Sequence, residues 1–297
     1  MGLDARQCDA FLATAETGSF DTAALQLRIT PSAVSQRIAG LEMALGAPLL
    51  VRSRPCRPTA TGQRLLVYLR RTRLLEQEFQ ADLRTDQSGP LQIPVAVNND
   101  TLATWLLPAI APFLAAQRMT LDIVLDEQNY TYALLEKGLA VAGISSAATA
   151  MRGCTVAPLG FMRYRMVGSP QFVQRWFSAG FNREAAIRAP VLVFSRKDTL
   201  QADFLLKELG LMAGAYPVHY LPASDPFLQA ARLGIGYGML PSQQCDALVE
   251  TGELVDVAPG RFTDVPLFWH AWRVQSHALE LLGREVITAA ASLLQQA

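Results

Sequence analysis

The feature that most constrains the fold of this 297-residue chain is a run of three short helical segments within its first 46 residues. Apolar residues recur at helical spacing over residues 6–17, and Gly18 interrupts the pattern. Ser19 is placed to cap a second segment at residues 20–28. A third segment at residues 31–46 follows almost immediately and carries its own apolar stripe. Short helices joined by such tight turns predict a helix-turn-helix.

The chain after the third segment predicts a winged form of that motif. Residues 49–51 indicate a short strand, and the arginine- and proline-rich run at residues 52–62 indicates a wing. A long helix is expected over residues 61–84, with apolar residues largely at every fourth position. Gly and Pro within residues 86–90 then predict a hinge. Because a helix joining two domains has little of its own chain to cover it, we expect it to mediate dimerisation.

Basic residues concentrate on the same part of the chain. The formal net charge is zero, yet residues 25–73 hold nine arginines against the single acid Glu42, a local excess of +8. Such a patch favours a polyanionic partner, of which double-stranded DNA is the leading candidate. Charge alone leaves a second interpretation open, in which the arginines form an ordinary solvated helix face.

From residue 91 onward the pattern changes to alternating strands and helices. This repetition predicts a parallel sheet covered by helices on both faces, and the number of elements suits two small α/β lobes. The expected strands are 91–97, 120–126, 139–146, 161–168, 190–194, 217–221, 235–240 and 265–272. The expected helices are 101–115, 130–138, 170–188, 199–209, 225–233, 242–250 and a last one from residue 276.

Several functional classes find no support in the sequence. The apolar stretch at residues 101–116 is interrupted by Pro108 and Pro112 and is too short for a membrane span. No secretory signal precedes it, so we expect a cytoplasmic protein. The four widely spaced cysteines are expected to be free thiols, and His270 to be a core histidine. Without a nucleophile elbow, a phosphate-binding loop or a cluster of metal ligands, we expect no enzyme activity, no cofactor and no metal.

A family resemblance rests on longer strings. Two of them, GSFDTAALQLRITPSAVSQRIAGLEMALGAPLLVRS (residues 18–53) and RPTATGQRLL (57–66), resemble the N-terminal module of LysR-type transcriptional regulators. Three more are similar to the arginine/lysine-responsive branch of that family, called ArgP or LysG: VAVNNDTLATWLLPAIAPFLA (95–115), ARLGIGYGMLP (231–241) and LFWHAW (267–272). The resemblance covers essentially the whole chain.

The resemblance implies a domain plan. It comprises a winged helix-turn-helix at residues 1–60, a linker and dimerisation helix at 61–86, and a two-lobed α/β effector domain like a type 2 periplasmic binding protein. Lobe I would take residues 91–160 and 266–297 and lobe II residues 161–265, with two crossover strands between them and the effector in the cleft.

The resemblance also implies partners. A homodimer that can pair into a homotetramer is expected, and RNA polymerase is a candidate partner. For the narrower branch, the resemblance implies lysine or arginine as effector and an amino-acid exporter gene as target.

The residues expected to contact DNA lie at the start of the third helix and in the wing. Short polar residues there let a recognition helix approach the base edges. We expect Ser35 and Gln36, which match the family's contact positions, to read bases, and Arg52 and Arg54 to grip phosphates. The complete set of candidates is Thr30, Pro31, Ser32, Ser35, Gln36, Arg37, Arg52 and Arg54.

Candidate effector contacts lie where expected strands give way to helices, because free N–H groups and the helix dipole there favour a carboxylate. A basic amino acid brings one carboxylate and two cationic groups. For any single residue, a helix-capping role is equally compatible. The candidates are Thr101, Ser145 and Ser146 for the carboxylate, Asp100, Asp126, Glu127 and Asp225 for the cations, and the neighbouring Asn99 and Ser224.

Other functions remain open from the sequence. The chain could be a regulator of the same type that responds to a different metabolite, or a DNA-binding protein without effector control. An enzyme built on the α/β lobes is a third alternative, although no pairing of a nucleophile with a base supports it.

Overall fold

The fold comes from a computed structural model that describes residues 2–83, 90–117, 119–126, 131–151 and 153–296. Most of the hinge expected at residues 86–90 lies outside the described residues, as does Glu127. Contacts divide the chain into two compact units. The first comprises Met1–Ile93 with Ala133–Val141, and the second Pro94–Tyr132 with Ala142–Ala297.

The helices and strands have the following bounds. The helices are α1 (Ala5–Thr17), α2 (Phe20–Leu27), α3 (Pro31–Leu45), α4 (Ala60–Leu83), α5 (Asn99–Thr101), α6 (Leu107–Ala116), α7 (Thr131–Glu136), α8 (Pro170–Trp176), α9 (Arg183–Arg188), α10 (Leu200–Leu209), α11 (Ser224–Arg232), α12 (Ser242–Glu250) and α13 (His277–Leu293). The strands are β1 (Leu50–Val51), β2 (Arg57–Pro58), β3 (Leu91–Val97), β4 (Met119–Leu125), β5 (Ala142–Ser145), β6 (Cys154–Gly168), β7 (Val191–Val193), β8 (Val218–Tyr220), β9 (Gly238–Pro241), β10 (Val255–Asp256) and β11 (Phe262–Trp272).

Local capping defines the three N-terminal helices. The side chain of Ser19 accepts a hydrogen bond from the Thr22 N–H at the start of α2, and Thr30 caps α3 by accepting from the Ala33 N–H at 3.2 Å. Gly18 and Gly46 end α1 and α3 in the left-handed conformation, which glycine adopts without steric cost. These caps explain why the sequence pattern predicts the helix ends within about a residue.

The wing closes onto the start of the long helix α4. Strands β1 and β2 pair antiparallel, with Leu50 opposite Pro58. A Cβ atom at Gly62, in the first turn of α4, would overlap the carbonyl oxygen of Leu49. Only glycine therefore lets α4 begin directly against the wing.

The second unit contains a mixed sheet, which corrects the expected all-parallel one. Among the described residues, seven strands join in the order β10, β6, β11, β5, β3 and β4, with β9 also paired to β6. Strand β3 runs parallel to β5, whereas β11 is antiparallel to both β5 and β6. The parallel prediction was therefore wrong for the long strands. Alternation of strands and helices indicates a layered α/β fold, but it does not determine the direction of strands that pair across long sequence separations.

Strands β6 and β11 are the long elements of this unit. They pair along eleven residues of β11, with a register shift between Leu267 and Phe268. The sequence pattern placed the start of β6 at residue 161, seven residues late, because half-buried and exposed residues at its beginning break the apolar signal. A separate parallel pair is formed by β7 and β8.

Two of the expected helices are interrupted. The expected helix at 101–115 contains a π-helical stretch, Leu102–Leu106, between α5 and α6. Pro108 and Pro112 lack the N–H groups that would continue a regular α-helical ladder through this region. The helical region expected at 170–188 is split into α8 and α9.

The structure also bears on membrane association. Within the described ranges, no helix combines the length with the apolar character that crossing a bilayer demands.

Candidate functional site

The first candidate site is the exposed side of α3 in the first unit. Val34, Ile38 and Leu41 are buried and hold α3 against α1 and α2. The opposite side of its first turns is polar because Ser32 and Gln36 are exposed. Packing on one side of α3 therefore presents short polar side chains on the other.

The other residues predicted to contact DNA in and next to α3 differ in their exposure. Thr30 is exposed, but its hydroxyl is engaged as the helix cap and lies 3.0 Å from the Ser32 Oγ. Pro31 is exposed at the first helical position, and Ser35 and Arg37 are half-buried. Gln36 thus has the most accessible long polar side chain of this set.

The wing carries two exposed arginines. Arg52 and Arg54 both face solvent, and the Arg52 guanidinium carbon lies 5.7 Å from the centre of the Phe20 ring. That distance is within the range of a cation–π interaction. This arrangement leaves charged donors available at the edge of the helix-turn-helix.

One arginine of the basic segment has a different role. The Arg70 Nε donates to Glu16 Oε1 at 3.2 Å, and its Nη1 donates to the Lys137 carbonyl oxygen at 3.0 Å. The side chain of Gln63 donates to the same carbonyl at 3.0 Å. Arg70 therefore joins α1, α4 and the end of α7 within the first unit.

The second candidate site is a small cavity in the second unit, with a volume of about 30 Å³. It is formed by segments that are distant in sequence. Two aspartates line it, and among the described residues that line it no Lys, Arg or His occurs. The lining residues are Asn98, Asn99, Asp100, Tyr164, Phe194, Asp198, Leu200, Gln201, Ser224, Phe227, Met239 and Leu240.

Asp100 is the centre of a hydrogen-bond network in this cavity. Tyr164 donates its hydroxyl to Asp100 Oδ2 at 2.9 Å, and Ser224 donates its hydroxyl to Asp100 Oδ1 at 2.8 Å. The Gln244 Nε2 donates in turn to Ser224 Oγ at 3.0 Å. The cap of α5 is supplied by Asn98, whose side chain accepts from the Thr101 N–H. The Asp100 carboxylate therefore serves the cavity rather than the helix end.

Asp198 provides the second carboxylate. It accepts backbone hydrogen bonds from Leu200 N at 2.9 Å and from Phe194 N at 3.1 Å, so its orientation is determined by the start of α10. Burial raises the pKa of Asp198 above its ordinary value, against the lowering effect of these two bonds.

The two carboxylates also influence each other. Burial raises the pKa of Asp100, the hydrogen bonds from Ser224 and Tyr164 act in the opposite direction, and the negative charge of Asp198 raises that pKa further. Two half-buried carboxylates lose part of their hydration, and none of the described residues that line the cavity offers them a cationic side chain in return. A cation entering the cavity would supply that missing partner.

The structure brings together only some of the sequence candidates for effector contact. Asn99, Asp100 and Ser224 line the cavity. Asp126 lines a neighbouring cavity and pairs with Lys197 at 3.0 Å, and Ser146 lines a third cavity. The remaining described candidates do not line the cavity: Thr101 is fully buried, the Ser145 hydroxyl accepts from the Ala147 N–H at 3.2 Å, and Asp225 is exposed.

Sequence reasoning missed Tyr164, Asp198 and Gln201 in the cavity. Asp198 and Gln201 lie at a junction between a strand and a helix, the same signal that selected the other candidates. The sequence pattern predicts this strand and this helix, at 190–194 and 199–209, but no residue at their junction was selected as a candidate. Tyr164 lies within β6 and carries no local signal of its own.

His270 is buried, as expected for a core histidine. Its Nε2 lies 2.8 Å from the Ala147 carbonyl oxygen, and burial lowers its pKa. The four cysteines are free thiols. In the described part of the chain, no group of three or more His, Cys, Asp or Glu side chains is arranged to hold a metal ion.

Comparisons with known proteins agree with this combination of a helix-turn-helix and an α/β unit. Residues 5–63 match the family described as bacterial regulatory helix-turn-helix protein, lysR family. The HTH-type transcriptional regulator ArgP of Citrobacter koseri is 41% identical over 276 residues, which cover 93% of each chain.

Solved structures give the same result over the full length. ArgP from Mycobacterium tuberculosis has a TM-score of 0.87 at 38% identity, with 100% of both chains covered. The full-length regulator LysG from Corynebacterium glutamicum, solved with bound effector Arg, has a TM-score of 0.79 at 30% identity, over 98% of this chain and 99% of that one.

These findings confirm the expected fold class, a helix-turn-helix followed by an α/β effector region of the periplasmic-binding-protein type. They also agree with the expectation that the chain is not an enzyme, since the relatives are named as regulators. The chain therefore belongs to the LysR family of bacterial helix-turn-helix proteins and is a DNA-binding transcriptional regulator related to ArgP and LysG.

Proposed function

We propose that the acidic cavity binds a basic amino acid, arginine or lysine, and that this binding controls how the protein acts on its operator. The observation that carries the proposal is the pair of half-buried carboxylates, Asp100 and Asp198, in a cavity whose described lining residues include no cationic side chain. A ligand with two cationic groups supplies one partner for each carboxylate. The related LysG was solved with arginine bound, which supports the same ligand class here.

The cavity also suits the carboxylate of such a ligand. Helix α11 begins beside it at Ser224, and its N-cap residue, Ala223, makes no side-chain capping bond. Free N–H groups at a helix N-terminus attract an anion. An amino acid could therefore place its ammonium group on Asp100 and its carboxylate at the start of α11.

The mechanism we propose is a population shift. Asp100 follows β3, whereas Asp198 and Ser224 belong to segments after β7 and β8, so a ligand that bridges them favours one arrangement of these segments. A coupling of about 1–3 kcal/mol between effector and operator would suffice for regulation.

On the DNA side, we propose that Ser32, Ser35 and Gln36 read base edges, with Thr30, Pro31 and Arg37 positioned beside them. Arg52 and Arg54 would bind phosphates. The exposure of Gln36 and of both wing arginines supports these roles.

The assembly is part of the proposal. On α4, Tyr68, Leu75 and Phe79 are exposed, and this apolar set supports a homodimer formed through the helix. We further propose pairing of dimers into tetramers, the domain plan given above, action in the cytoplasm, contact with RNA polymerase, and an amino-acid exporter gene as target.

The test is a thermal-shift series with arginine, lysine, citrulline and unrelated metabolites, followed by operator binding with each ligand that stabilises the protein. Ligand at 100 times its Kd adds about 2.7 kcal/mol, which raises Tm by several degrees. Citrulline, which has nearly the shape of arginine but a neutral ureido group in place of the guanidinium, should stabilise the protein less than arginine does. If only ligands other than basic amino acids raise Tm, the effector assignment is wrong.

A further inference from the structure

Gln201 is a buried polar residue whose side chain is not satisfied within the protein. It is the second residue of α10, is 2% exposed and lines the same cavity as Asp100. Its Oε1 has no hydrogen-bond partner among the described residues. A buried acceptor without a donor destabilises a fold, so such a group calls for a specific explanation. A ligand N–H directed at this oxygen provides one.

The neighbour of Gln201 in the chain strengthens that explanation. Asp198 lies three positions earlier, and both residues line the cavity. The two backbone bonds to Asp198 use only part of its capacity, since a carboxylate offers about four acceptor positions. The start of α10 therefore presents a carboxylate and an amide oxygen to one ligand.

Asp100 has a different set of hydrogen-bond partners. It comes from the segment after β3, and its partners are Tyr164 and Ser224. Because Ser224 also begins α11, this part of the cavity suits the ammonium and carboxylate carried by the α-carbon of an amino acid. The remaining cationic group of the ligand is then left for Asp198 and Gln201.

Arginine and lysine differ at that remaining group. A guanidinium is planar and has five N–H donors in a fixed arrangement, so it can bond to two acceptors at once. A lysine ammonium is a compact charge for which one carboxylate is the main partner. We propose that Gln201 is the specificity-determining residue that makes the cavity favour arginine over lysine, an inference that rests on the proposed basic amino-acid effector.

The experiment compares the full-length protein with Gln201→Met, which keeps the length of the side chain but removes its acceptor. Dissociation constants for arginine and lysine are measured by calorimetry. We expect arginine binding to weaken by about 10- to 100-fold, as for loss of a hydrogen bond to a charged group. Lysine binding should weaken by less than about threefold, so that the preference for arginine is lost.

Two further variants protect the result from a folding artefact. Gln201→Glu keeps an acceptor oxygen in place and should retain the arginine preference that Gln201→Met loses. Gln229→Met makes the same change at an exposed position of α11 and should leave both constants unchanged.

The outcomes separate this inference from the proposed function. Equal weakening of arginine and lysine, or no weakening of either, in Gln201→Met would overturn the role of Gln201 while leaving a basic effector in place. A wild-type protein that binds neither amino acid would overturn both.

Discussion

The helix-turn-helix surface and the acidic cavity differ in how much of their polar side chains is exposed to water. On the surface, Gln36, Arg52 and Arg54 remain exposed and retain their hydration. In the cavity, Ser224 and Gln201 are almost fully buried, and burial raises the pKa of Asp100. A polar residue on the surface costs little before DNA arrives, whereas each one in the cavity carries a cost until a ligand pairs with it. Effector binding in the cavity is thus expected to depend on side-chain charge and on pH. DNA binding at the surface is expected to depend on salt.

The largest effect is expected from Asp100→Asn, which removes a cavity charge while keeping its shape. Arginine affinity should fall by at least about 100-fold, since losing one member of a buried charge pair is costly. The Tm of the ligand-free protein should change little, because removal of a poorly hydrated charge is offset by the loss of one of the two hydroxyl hydrogen bonds that the carboxylate accepts. Calorimetry and thermal unfolding measure the two effects.

Asp225→Asn is the matched control for that change. Asp225 adjoins Ser224 in sequence but is exposed, so both quantities should stay close to wild type. An equal loss of arginine binding in the control would contradict the distinction between a carboxylate that lines the cavity and an exposed one outside it.

The next largest effect is expected on the surface, from Gln36→Ala. Loss of a bidentate hydrogen-bond contact to a base should reduce the preference for operator over unrelated DNA by about 10- to 100-fold. Binding to unrelated DNA should hardly change, since it depends on phosphates. Competition binding with substituted operators measures this. A uniform loss on all sequences would instead give Gln36 a phosphate role.

A smaller effect is expected from a change in pH, which should act on the cavity through Asp100. Asp100 has a folded pKa above its unfolded value of 3.8. Its protonation therefore contributes stability to the ligand-free protein below pH 3.8, and that contribution is lost as pH rises through the raised folded pKa. Arginine needs the ionised form, so binding should release protons.

In a series from pH 7.5 to pH 5, arginine affinity should accordingly fall as the pH approaches the raised pKa of Asp100, because protonation removes the charge that the ligand requires. The decrease should be smaller in Asp100→Asn, in which Asp198 is the remaining cavity carboxylate with a raised pKa. Calorimetry at several pH values, in buffers of different ionisation enthalpy, counts the released protons. A flat profile would show that Asp100 stays ionised over this range.

The smallest effect is expected from Arg52→Gln, read as salt dependence. Loss of one phosphate contact should reduce the slope of log K against log salt by about 0.9. Arg70→Gln removes the same charge but should leave the slope unchanged, because Arg70 is already engaged with Glu16 and the Lys137 carbonyl. If Arg70→Gln flattens the slope equally, Arg70 also contacts DNA.

Much of the first unit could be predicted from its sequence because the forces that shape it are local. The caps at Ser19 and Thr30 act over three residues, and Gly18 and Gly46 end helices by their own backbone conformation. The exposure of Gln36 follows from its place opposite the buried Val34 and Ile38 on one helix. Helical periodicity alone separates the two sides of such a helix.

The second unit required the tertiary structure. The direction of β11 against β6 and the late start assigned to β6 depend on pairing across about a hundred residues, which no local pattern encodes. The cavity depends on the same long-range pairing, since Asp100, Tyr164, Asp198 and Ser224 meet only when four distant segments pack. The chemistry of the cavity also depends on folding. The sequence contains both aspartates, but the burial that raises their pKa values exists only in the folded chain.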